Sequence, residues 1–359
     1  MPYPRRIRPT PAIGHLGTTI AIGAIILSGC RSAPTPTLTT PSVQTSGAEA
    51  TLPSATVSAL PTAAGTVTAV PPPATSTPSA AAGGPIRTGS FDVTLAPEAS
   101  GVVVGRRDTG VRWIIDDGPP TRPVLAVDPE GHTLGQVTMV DAQGSPIEGI
   151  DIEDIAIGPC GPLDQAADGQ PDTGQCLFVA DIGDNNATRG SVRIHRFEEP
   201  DPTQNSVTVT TATLSYADGP HDAEALLVAL DGSPIIITKQ PDMAGVYVAQ
   251  GFGDQTLART ADLVVPPPAA PLFTRAVGLT VTAADSTSDG TAVLLRTYDS
   301  IVELRPSTPG SMLSDLADWV PTELPSPLEP QGEAVAYLAD GRGYVTVSEG
   351  TGDIWQAQR

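Results

Sequence analysis

The sequence predicts an all-β protein: a single β-propeller, five blades preferred, carried at the end of a disordered tether. Three observations predict it. From residue 89 onward, short runs of Val, Ile, Leu and Thr alternate with Gly, Pro, Asp and Asn clusters, as strands alternate with turns. Five segments repeat one plan: an apolar strand, a tight turn, and a second apolar strand with a polar residue near its end. The repeats begin at Ser100, Glu153, Glu224, Thr282 and Glu333, a spacing that suits a four-stranded blade.

The elements follow in chain order. Residues 1–29 read as a lipoprotein signal peptide, with Arg5, Arg6 and Arg8 ahead of the apolar stretch "AIGHLGTTIAIGAIILSGC". "LSGC", Leu27–Cys30, matches the bacterial lipobox, which implies that Cys30 carries lipid and becomes the first mature residue. The competing reading is an uncleaved membrane anchor, and both place the remainder outside the cytoplasm. Residues 30–88 are rich in Pro, Thr, Ser and Ala, with Glu49 the single charge between Arg31 and Arg87. Such a segment cannot bury enough apolar surface to order itself, so it reads as a semi-extended linker.

Residues 89–359 hold the propeller. The repeats are "SGVVVGRRDTGVRWIIDD" from residue 100, "EDIAIGPC" with "CLFVADIGDN", "EALLVALDGSPIIITK", "TAADSTSDGTAVLLRTY" and "EAVAYLADGRGYVTVSEG". Third strands are expected at "PVLAVD", "VRIHRF", "GVYVAQ", "SIVELR" and "DIWQAQ", and a fourth in "SVTVTTATLSYA". The last unit runs out of chain, so "SFDVTLAP", Ser90–Pro97, is expected to supply its outer strand and close the ring. Six blades would need a repeat that is not visible. One short amphipathic helix is expected at Ser311–Trp319, with Met312, Leu313, Leu316 and Trp319 on its apolar side. Cys160 and Cys176 flank an insertion in the second repeat, and in an exported protein they should form a disulfide rather than stay free thiols.

Function is narrowed first by charge. The net charge is −21 and Lys239 is the only lysine, which argues against nucleic acid as a partner and for cations. In a propeller the first strand of each blade lines the central channel, so residues at its head open into the channel mouth. Asp151, Glu153, Asp222, Glu224 and Glu333 stand at such heads, and "DIGDNN" adds Asp181 and Asp184. Converging carboxylates need protons, hydrogen bonds or a cation. Calcium suits them, because it accepts six to eight oxygens in loose geometry. The alternative is structural: acids accepting backbone hydrogen bonds, with Arg122, Arg189, Lys239 and Arg296 as neutralising partners. No nucleophile elbow, phosphate loop or metal-binding histidine spacing occurs. His132 and His195 read as structural, and His221, beside Asp222, is the one histidine to test for chemistry.

The runs "DIEDIA", "DIGDNNATR", "HDAEALL" and "QGEAVAY" resemble a group of bacterial exported propeller proteins of unassigned activity. Their pattern is similar to D-W-E-D-I-A, D-I-G-D-N, H-D-x-E-A-L and Q-G-E-A-I, with Ile152 here in place of Trp. More loosely the group looks like phytase-like propellers, including the "esterase-like activity of phytase" family. The expected function is a membrane-anchored, monomeric, extracytoplasmic module that binds a small ligand or an envelope protein, with a cation at its acidic mouth. The runner-up is a calcium-dependent phosphoesterase or esterase, with the acids on metal and Arg189, Lys239 and Arg296 gripping an anion.

Overall fold

Each repeat folds as the inner half of one antiparallel sheet. The structure, a computed structural model, describes residues 83–161, 174–241 and 243–358. Cys30, the signal segment and the linker up to residue 82 lie outside the described residues. Strand β1 (Ile86–Ser90) comes first in the chain and is used last in the fold. The first blade is β2 (Ala99–Val104), β3 (Arg112–Asp116), β4 (Val124–Val127) and β5 (Thr133–Val140). The second holds β6 (Ile152–Pro159), β7 (Gln175–Asp181), β8 (Val192–Glu198) and, beyond β9 (Ser206–Thr208), β10 (Thr210–Tyr216). The third holds β11 (Ala223–Val228), β12 (Pro234–Thr238), β13 (Ala244–Val248) and, beyond β14 (Gln255–Leu257), β15 (Arg259–Leu263). The fourth is β16 (Val281–Ser286), β17 (Val293–Thr297), β18 (Ile301–Arg305) and β19 (Val320–Leu324). The fifth is β20 (Gly332–Tyr337), β21 (Gly343–Ser348) and β22 (Asp353–Gln358), completed by β1.

Five apolar cores settle the blade number. Each core is shared by two neighbouring sheets, running from first–second through to fifth–first, so every sheet is covered on both faces. This is why the innermost strands β2, β6, β11, β16 and β20 are buried along their whole length. The outer strands β5 and β15 are mostly exposed or half-buried instead, because part of a face meets water. Five blades close the ring, and a sixth has no place in it.

The ring closes where β1 pairs antiparallel with β22, Ile86 opposite Gln356 and Ser90 opposite Asp353. The expected closing strand, Ser90–Pro97, is therefore displaced upstream, and β1 takes up the last residues that read as linker. The reason is local. Asp92 accepts hydrogen bonds from the amide (3.0 Å) and hydroxyl (2.7 Å) of Thr94, which turns the chain just after β1. "SVTVTTATLSYA" also divides: β9 adds parallel to β5 of the first blade, and only β10 joins the second. Likewise β14 adds parallel to β10. Each such strand leaves one blade to cover the edge of its neighbour, which removes an exposed edge and ties the two together. The expected helix is a 3-10 turn, Leu313–Asp318, with Leu313, Leu316 and Trp319 buried in the core between the third and fourth blades. Met312 is exposed instead, because it precedes the turn as an extended capping residue. A second helical turn, Arg275–Gly278, was not expected.

Cys160 and Cys176 are disulfide-bonded, with Cα atoms 4.9 Å apart and a sequence separation of 16. Closing a loop of that length removes unfolded-state entropy worth about 3 kcal/mol. Replacing both cysteines by serine should lower the free energy of unfolding by about that amount, read from urea midpoints at constant slope. An unchanged midpoint would show that the crosslink adds no stability.

Candidate cation site at the channel mouth

In all five blades the pairing of the innermost two strands slips by one residue at the same place. The residues left without a partner are Ser100, Glu153, Glu224, Thr282 and Glu333. A bulge bends its strand and re-aims a side chain. Here five bulges place two hydroxyls and three carboxylates around one end of the channel, all buried.

The ends of the second strands and the loops before the first ones complete the mouth. Lys239, which follows β12, pairs its ammonium with Glu224 Oε1 and lies 5.8 Å from the centre of the Tyr298 ring. Glu224 Oε2 is buried with no hydrogen-bond partner. Gln331 Nε2 donates to Glu333 Oε1 at 2.6 Å and also to Glu349. Asp151 and Glu153 meet over Gly183: a Cβ there would stand 2.2 Å from Glu153 Oε1 and 2.5 Å from Asp151 Oδ2. Only glycine leaves room for both carboxylates.

Electrostatics records the crowding. Burial, then Asp151 and Asp117, push Glu153 well above the usual carboxylate range. Burial, then Glu333, Glu98 and Glu349, raise Asp117 to about 8. Burial, then Glu333 and Glu98, raise Glu349 to about 7. Burial and the Asp222 charge raise Asp151, and burial raises Glu333. Lys239 acts in the opposite direction on Asp151, Glu153, Glu333 and Glu349, and it is too little for so many acids.

The remaining residues singled out in the sequence are engaged elsewhere. Asp181 is fully buried and accepts from the amides of Ile150 (3.2 Å) and Asp151 (3.0 Å) and from Arg189 (2.9 Å) and Arg193 (2.5 Å). Asp184 accepts the Arg189 amide at 2.7 Å, and its own amide donates to Asp222 Oδ1 at 2.8 Å. These two acids hold the "DIGDNN" loop rather than face the channel. Arg189 also donates to the Gly183 carbonyl at 2.6 Å. Arg296 is fully buried against Glu329, 2.9 Å away. Neither arginine is open to an anion, which corrects the gripping role expected of them. His221 packs its ring against Tyr216 and Tyr247, with Nε2 3.1 Å from Asp218, and belongs to an aromatic cluster beside the second and third blades.

A second set of side chains, legible only in part, closes the ring itself. An innermost strand has no neighbour on its axial edge, so its channel-facing amides and carbonyls need other partners. Asp154, fully buried, accepts from Leu226 N of β11 at 2.8 Å and from Ala284 N of β16 at 3.4 Å. Asp285 accepts from Tyr337 N of β20 at 2.7 Å, Thr282 donates to the Gly332 carbonyl at 3.0 Å, and Ser100 donates to the Glu153 carbonyl. The structural role weighed for acids in the sequence is thus filled by Asp154 and Asp285 in the ring, as by Asp181 and Asp184 in their loop.

The mouth suits calcium in donor type, being anionic and rich in carboxylate oxygens, with one buried oxygen unpartnered. Among the described residues, three ligand atoms within 4.8 Å of one another occur elsewhere, at Asp128, Glu130 and His132 in the exposed β4–β5 turn. There Asp128 already accepts from the Glu130 amide (3.0 Å), the His132 amide (2.8 Å) and the His132 ring (2.8 Å), so the cluster is a turn motif.

No family model and no curated protein matches the chain. Among solved structures it is similar to a gluconolactonase from Xanthomonas campestris at 10% identity, covering 76% of this chain and 89% of that one, with a TM-score of 0.42. It is also similar to a periplasmic gluconolactonase of Pseudomonas aeruginosa at 13% identity, covering 69% and 68%, with a TM-score of 0.36. A third likeness is to hydrazine synthase of Kuenenia stuttgartiensis at 10% identity, covering 74% and 96%, with a TM-score of 0.39. The propeller is established by its sheet order and five shared cores, independently of these likenesses.

Proposed function

We propose that this chain is an extracytoplasmic binding module whose channel mouth holds a divalent cation, calcium by its donor chemistry, and presents it to a small ligand or an envelope protein. One observation carries the reading. Bulges at one position in five blades bring Glu153, Glu224 and Glu333 together with Asp117, Asp151 and Glu349, around the single ammonium of Lys239. The lipobox at Cys30 and the linker fit a monomer held off a membrane by lipid. The sequence pattern shared with exported bacterial propellers supports that placement. The phosphoesterase reading loses its support, since Arg189 and Arg296 are spent inside the protein and Lys239 is paired.

Proton linkage tests the proposal. Asp117 and Glu349 titrate near about 8 and about 7 when folded, well above their ordinary values. The folded chain therefore keeps protons that the unfolded chain has released, so without a cation its stability falls as pH rises through that range. A bound cation replaces those protons. Calcium should raise the melting temperature more at pH 8 than at pH 5, and adding it to weakly buffered protein should release protons. Glu153→Gln with Glu333→Gln should abolish both effects. Melting at pH 8 that is indifferent to calcium and to chelator, with no proton release, would sink the reading.

A further inference from the structure

At the opposite end of the channel lies a cavity of about 470 Å³, walled by the trailing ends of β2, β16 and β20 and the turns that follow them. We propose that this cavity is a second binding site, for a small oxyanion carrying a carboxylate or phosphate group, with Arg106 as its principal contact.

Arg106 is set apart by what it lacks. Among the described residues, the other arginines that are at least partly buried and whose side chains are described each have a carboxylate, carbonyl or hydroxyl partner. The half-buried Arg106 guanidinium lines the cavity with no such partner within hydrogen-bond or ion-pair distance among the described residues, and the carboxylates of Asp285 and Glu199 act on it only through space. Its main chain is held firmly. Glu199 accepts from the Arg106 amide at 3.2 and 3.1 Å and from the Arg107 amide at 2.9 Å. Gly105 leaves a side chain no room, since a Cβ would meet the Asp108 carbonyl at 2.5 Å. A fixed backbone with an idle guanidinium is a preorganised fork, the geometry that suits bidentate carboxylate or phosphate.

The rest of the wall agrees. Thr109, Ser286 and Ser288 add hydroxyls, and Arg305, held by Glu303 at 2.9 Å, adds a second guanidinium at the rim. The acids of the wall have partners: Asp285 the Tyr337 amide at 2.7 Å, Asp289 the hydroxyls of Thr287 and Thr291, both at 2.7 Å, and Asp340 the Arg342 amide at 2.9 Å. The volume admits a ligand of small-metabolite size, and its lining is polar rather than aromatic.

Calorimetric titration at constant ionic strength, with inorganic phosphate in one arm and lactate in the other, tests the site. Binding in either arm, weakened about tenfold or more by Arg106→Gln and a few-fold by Ser288→Ala, supports it, and the stronger arm names the oxyanion. Ser288 is exposed, so that variant keeps the test open should Arg106→Gln misfold. The Glu153→Gln, Glu333→Gln double variant should bind the probe like the parent, which separates this site from the mouth. No heat in either arm at millimolar probe, or binding by Arg106→Gln as tight as the parent's, overturns the proposal.

Discussion

Asp154→Ala is expected to destabilise the propeller by roughly 3–6 kcal/mol, the summed cost of two or three stranded buried groups. Asp154 is the hub of the ring. From β6 its carboxyl reaches Leu226 N of β11 and Ala284 N of β16, and it also accepts from Ile155 N at 2.8 Å. Those amides lie on the axial edges of their strands, where no further strand can pair with them and water is excluded. Burial pushes Asp154 well above the ordinary carboxylate range. A neutral isostere should therefore be tolerated better, and Asp154→Asn should lose less than Asp154→Ala. A loss on such a scale is a large part of the 5–15 kcal/mol that folded domains possess. Urea unfolding measures it. If Asp154→Ala unfolds within about 1 kcal/mol of the parent, the carboxyl does not hold the hub.

Arg296→Met should cost about 3–5 kcal/mol, because it leaves a carboxylate buried without its counter-charge. The side chains of Arg296 and Glu329 are each 1% exposed, and their closest atoms are 2.9 Å apart. Glu329 also accepts from Thr346 at 2.7 Å, and Arg296 donates to Ser326 at 3.1 Å. The guanidinium occupies the space over Gly332 that a side chain would need, which packs the fourth blade onto the fifth. Removing both charges is a milder change than removing one. Arg296→Met with Glu329→Gln should recover part of the loss, and a double-mutant cycle reads the coupling. Equal stability of the single and double variants would mean that the charge of Glu329 is not what the single variant exposes.

Much of the fold was legible in the sequence because a propeller writes its unit five times. Every expected first and second strand is present, and each expected third strand pairs where it was placed. The segments read differently, Ser90–Pro97 and "SVTVTTATLSYA", are outer strands. Such strands carry little apolar pattern and can serve either of two blades, so composition does not say which. Part of the mouth was legible too, since aligning the repeats set Ser100, Glu153, Glu224, Thr282 and Glu333 in one column. That column is the bulge, which inner strands apolar on both faces conceal because they show no alternation to be interrupted.

Within the mouth, the sequence could not say which charges were free. Asp181 and Glu153 look alike in a strand-end motif. The first is neutralised by Arg189 and Arg193 and two amides, while the second faces other carboxylates. Arg106 gave no sequence signal, since what marks it is the absence of a partner.

By itself the amino-acid order determined the repeating unit, its three inner strands and the column of residues at the channel mouth, because these follow from local periodicity repeated along the chain. Only the tertiary structure decided which acids remain exposed to one another, which arginines are consumed and where an idle guanidinium is left. Those outcomes depend on partners brought together from different blades, and the competition between partners takes place in space.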